Sequence, residues 1–127
     1  MDEAERRHWE GREREQGFIR VRLRLLGTDE GGRTGPIADG YRSSWDIGNR
    51  SEDDEPTIND APLLFDEPGK WLAPRESSTA RLHPLAPELW RHVGPGLEVV
   101  MKEGARVVGR GEVIEVVGLR DAGMPHE

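Results

Sequence analysis

Within residues 18–26, Ile19, Val21, Leu23 and Leu25 are apolar and alternate with the basic Arg20, Arg22 and Arg24 between them. A period of two puts the apolar set on one side of an extended chain and the arginines on the other. The stretch therefore predicts a half-buried β-strand and excludes an amphipathic helix. It leads into Asp29-Glu30-Gly31-Gly32-Arg33, whose adjacent glycines allow a tight turn, and a second strand is expected to leave from Tyr41.

The same reading extends along the chain. Residues 42–48 supply a strand with Trp45 and Ile47 on one side, and residues 61–65 a short apolar one. Pro68-Gly69 is a turn signal. Residues 77–83 alternate again, with Ser78, Ala80 and Leu82 on one face and Thr79, Arg81 and His83 on the other, until Pro84 and Pro87 end the run. Residues 88–93 are expected to make one helical turn before Gly94-Pro95-Gly96. Residues 97–102 and 105–108 flank Glu103-Gly104, read as a two-residue hairpin turn with glycine where positive φ is cheap. Gly109-Arg110-Gly111 then permits a bend before a last strand at 112–117. About six short strands, polar turns and no long helix predict an all-β barrel or sandwich.

Three short motifs, in order and in register, carry a family resemblance. The Asp29 to Arg33 loop followed by Gly40-Tyr41-Arg42 resembles the start of the third, C-terminal β-barrel domain of elongation factor Tu and related translation GTPases. Leu82-His83-Pro84-Leu85-Ala86 resembles that family's Ile-His-Pro-Ile-Ala, and the run from Met101 to Gly111 its closing glycine-rich segment. The resemblance covers about residues 17–118 and implies a closed six-stranded antiparallel β-barrel. It also implies contact with the tRNA backbone or with protein partners, through Arg33, Arg42 and the turn at Glu103 and Gly104. The family's Pro-Gln after Gly-Tyr-Arg is replaced here by Ser43-Ser44, and a closing-turn glycine by Ala105.

Charge sorts the partner classes. The formal net charge of −7 opposes general attraction to nucleic acid, so a protein partner is favoured over tRNA or another structured RNA. The arginine face of the first strand is the one candidate basic stripe. Glu52, Asp53, Asp54 and Glu55 precede Pro56 in what reads as an exposed loop. They support an alternative, an acidic inhibitor or immunity-type protein that caps a basic partner. They lack the ligand spacing and turn glycine of a calcium loop, so no metal is expected there.

Residues 1–16 are almost all charged, with Trp9 the only large apolar group. They read as a solvated tail or a frayed helix interrupted at Gly11. The sharper alternative is a docking segment built on Trp9 and its arginines. Residues 119–127 read as a loose tail. The first residues have no apolar core resembling a signal peptide, no run suits a membrane span, and cysteine is absent, so a cytoplasmic protein is expected.

Catalytic signatures are missing. No Gly-x-x-x-x-Gly-Lys-Ser/Thr loop is present, so neither nucleotide binding nor GTPase activity is expected. His8, His83, His92 and His126 are scattered, which opposes a zinc site. His83 reads as the fixing point of a barrel corner, bonded to backbone, with an enzyme built around it as the weaker option. Ser43, Ser44, Ser77 and Ser78 lie in no nucleophile elbow. The expectation is a non-catalytic binding module with no cofactor.

Overall fold

In a computed structural model, which describes residues 1–119, the alternation of residues 18–26 becomes β1 (Phe18–Leu25). Ile19, Val21, Leu23 and Leu25 are fully buried, while the intervening arginines face outward. The strands that follow are β2 (Ile37–Ala38), β3 (Arg42–Asp46), β4 (Asn59–Phe65), β5 (Trp71–Leu72), β6 (Ser77–Leu82), β7 (Glu98–Glu103) and β8 (Arg106–Val117). Six close into an antiparallel barrel in the order β1-β6-β4-β3-β7-β8, with β8 returning to pair with β1. β2 and β5 form a separate two-stranded pair. The expected all-β, closed six-stranded barrel is what the chain forms.

The apolar sides of these strands fill the barrel. Trp45 is its largest fully buried side chain, and its indole Nε1 donates to Ser43 Oγ at 2.8 Å. Gly111 lies beside it: a Cβ there would touch the Trp45 ring at an ordinary 3.5 Å but would crowd Val99 at 3.2 Å. β8 does not break at Gly109 and Gly111, as the sequence suggested, but runs through them. The curvature comes instead from register shifts between Met101 and Lys102 against β8 and between Arg20 and Val21 against β8. The helical turn expected at 88–93 is a 3₁₀ turn at Pro87–Trp90, and it tucks Trp90 and Val93 into the core.

The hairpin turn also moves by one residue. Glu103 pairs with Arg106, so Gly104 and Ala105 are the loop, not Glu103 and Gly104. Gly104 has φ of 60° while Ala105 has no positive φ, the pattern of a type II′ turn with glycine first.

Residues 1–16 are neither disordered nor frayed. They contain α1 (Glu3–Gln16), capped by Asp2, whose carboxylate accepts from the Glu5 N–H at 2.8 Å. The helix continues through Gly11, where a Cβ would meet only Arg14 at ordinary contact distance. Its anchors are mostly charged. Arg6 bridges Asp39 at 2.5 Å and donates to the Phe65 carbonyl at 2.9 Å. Glu13, buried, reaches His83 and Arg81, and Trp9 lies 5.3 Å from the His83 ring. The docking alternative therefore describes this segment, and the solvated-tail reading is corrected: ion pairs with the barrel replace the apolar stripe the helix lacks. The expected tail at 119–127 lies outside the described residues apart from Leu119, which packs against the core.

Candidate functional site

The loop after β1 and the β7–β8 hairpin meet at one rim of the barrel. A 3₁₀ turn (Thr28–Glu30) ends on Gly31 at φ of 88°. Thr28 Oγ1 donates to the Arg33 carbonyl at 2.7 Å, which fixes where that arginine leaves the loop. Its guanidinium bonds Glu103 through Nη1, donates from Nε to the Gly35 carbonyl at 3.3 Å, and lies 5.1 Å above the Tyr41 ring. The Tyr41 hydroxyl donates to the same Glu103 oxygen at 2.5 Å, and Arg106 stands 3.6 Å from the other oxygen. Arg33 and Glu103 are thus brought together across 70 positions of sequence, with Gly104 beside them.

The carboxylates closest to Arg33 in sequence are all engaged elsewhere. Asp29 pairs with Arg75, Glu30 with Arg24 at 3.1 Å, and Asp39 with Arg6. Arg42 is exposed and makes no ion pair among the described residues. Tyr41 is the site residue that sequence reasoning missed. Its signal was its position beside Arg42 as the chain's single tyrosine.

Electrostatics lock the cluster in one protonation state. Burial pushes the Glu103 carboxyl up, but the Tyr41 hydrogen bond and the Arg33 guanidinium outweigh it and hold that carboxyl below its ordinary value. Burial, reinforced by the hydrogen bond to Glu103, pushes the Tyr41 phenol from 10.0 up to about 12. The folded state therefore favours the neutral phenol. Its stabilising contribution is complete below about pH 10 and is lost as pH rises through about 12. Because Tyr41 is the only tyrosine, ultraviolet titration reads it directly. A midpoint near 12 is expected in the native protein, falling to about 10 in denaturant. A native midpoint near 10 would mean the hydroxyl is not bonded to Glu103.

No family model matches this chain, and no curated protein matches it.

The other sequence-predicted sites are dispersed. Glu52, Asp53, Asp54 and Glu55 are exposed on a hairpin loop closed by the Arg50–Pro56 bridge, beyond the end of β3 opposite Arg42. The candidate basic stripe is largely neutralised. Arg20 bonds Glu115 and Asp66, Arg24 bonds Glu30, and only Arg22 makes no ion pair among the described residues. His83 Nδ1 lies 3.0 Å from the Pro62 carbonyl, as a corner residue should, and Nε2 lies 2.9 Å from Glu13. That carboxylate was not anticipated. Among the described residues no three His, Cys, Asp or Glu side chains gather as a metal site, and no helix is long and apolar enough to cross a membrane.

Proposed function

We propose that this protein is a non-catalytic binding module of the type of the third domain of elongation factor Tu, and that its rim of Arg33, Tyr41 and Glu103 receives a protein partner. The reading rests on the three motifs, on the closed six-stranded barrel they imply, and above all on one observation: Arg33 and Glu103 pair with each other over Tyr41. An arginine whose Nη1 is paired with a carboxylate and whose Nε bonds a carbonyl has fewer donors to offer a phosphate. An aromatic ring, an arginine and a bonded carboxylate together suit the mixed polar and apolar chemistry of protein interfaces. The net charge of −7 and the paired arginines of β1 point the same way. No nucleotide, cofactor or metal enters this reading.

The test is photo-crosslinking from Ala105, exposed on the turn beside the rim. One protein species is expected to crosslink in cell extract, and Glu103→Arg, which sets like charges against Arg33 and Arg106, is expected to abolish it. A crosslink to RNA, or a protein crosslink indifferent to Glu103→Arg, would contradict the reading.

A further inference from the structure

A second surface lies away from the rim, around the Pro87–Trp90 turn. Ile58, Leu85 and Leu89 are 45%, 40% and 47% exposed, and they line one groove with Asn59, Asp60 and Trp90. Its volume of about 230 Å³ is below the range of small-molecule sites, and it suits one or two anchoring side chains of a larger partner. Three large exposed apolar groups together on a strongly charged chain mark an interaction surface.

One further observation bears on the occupant: the acidic hairpin is tied to this place. Asn49 Nδ2 donates to the Leu89 carbonyl at 2.8 Å, the Thr57 N–H to the Asn49 carbonyl at 3.0 Å, and Ile58 follows directly. Glu52, Asp53, Asp54 and Glu55 therefore rise from the edge of the groove, with Asp60 on its wall.

We infer that the groove docks a basic protein segment that seats one or two large apolar side chains between Ile58, Leu85 and Leu89 while its lysines or arginines meet the acidic hairpin. The carboxylates steer and orient, and the apolar contacts hold. This does not depend on the rim, which lies at the other end of β3.

The probe is a short fluorescent peptide of lysine and leucine, with leucines at helical spacing, titrated at low and moderate salt. Saturable binding is expected, with an all-lysine peptide about tenfold weaker or worse and a glutamate–leucine peptide silent. Leu89→Asp, at an exposed position, should weaken binding about tenfold or more. Combined E52Q, D53N, D54N and E55Q should slow association and flatten its salt dependence. Tyr41→Ala and Glu103→Arg should change nothing, which separates this surface from the rim. Equal binding of the all-lysine peptide, unchanged affinity in a folded Leu89→Asp protein, or self-association of the wild type that Leu89→Asp abolishes would each overturn the inference.

Discussion

Glu13→Ala is expected to free α1 from the barrel and to lower stability by about 3–5 kcal/mol, the range for removing one partner of a buried ion pair. The Glu13 side chain is 7% exposed, with Oε2 2.9 Å from His83 Nε2 and 3.0 Å from Arg81 Nε. Arg81 is close enough for an ion pair without being aligned for a hydrogen bond, and its Nη2 has no hydrogen-bond partner among the described residues. Deleting the carboxylate leaves a buried guanidinium facing Asp66, 3.6 Å away, and the Phe18 ring, 6.0 Å from its centre, and these residual contacts favour the lower end of the range. A helix with no apolar stripe has little else to hold it: Trp9 on His83, and Arg6 on Asp39 and Phe65. Hydrogen exchange locates the loss. The amides of α1 should exchange much faster while β1 and β8 stay protected, and the urea midpoint should fall. Unchanged protection of residues 3–16 would mean that Glu13 is not what fastens the helix.

Trp45→Ala should cost about as much by a different route. A buried tryptophan reduced to alanine loses roughly 3–5 kcal/mol through lost transfer energy and the cavity left behind. The ring is fully buried on β3, between β4 and β7. Its indole also donates to Ser43 Oγ, which in turn donates to the Ala61 carbonyl. A fall in melting temperature of roughly 10–20 °C is expected. Trp45→Phe should fall between the two proteins. A shift of only a degree or two would place the ring outside the folding core.

These two residues mark what was and was not legible in the sequence. Trp45 lies on a strand whose period of two is plain, and the alternation of β1 put Ile19, Val21, Leu23 and Leu25 on the correct side. Period and turn chemistry are local, so a sequence displays them. Glu13 carries no such signal. Burial is normally read from apolar residues, and α1 is anchored by charges whose partners stand 33 and 70 positions away. The partner of Arg33 is hidden for the same reason: Glu103 lies 70 positions away and reaches it only after the barrel closes. The hairpin was found at the correct glycine but displaced by one residue, because pairing of Glu103 with Arg106 depends on the register of β7 against β8. The strand break expected at Gly109 and Gly111 was wrong because those glycines accommodate neighbouring side chains instead of ending the strand.

The claim that the rim is a pre-paired protein surface is tested most directly by titrating bulk tRNA, followed by fluorescence anisotropy, against wild type and Arg33→Ala across a salt series. The account predicts the same negligible binding for both proteins at every salt concentration, because Arg33 is already paired with Glu103 and the chain carries a net charge of −7. Wild-type binding that weakens with salt, with a log–log slope that shrinks by about one on Arg33→Ala, would contradict it by making that arginine a phosphate contact.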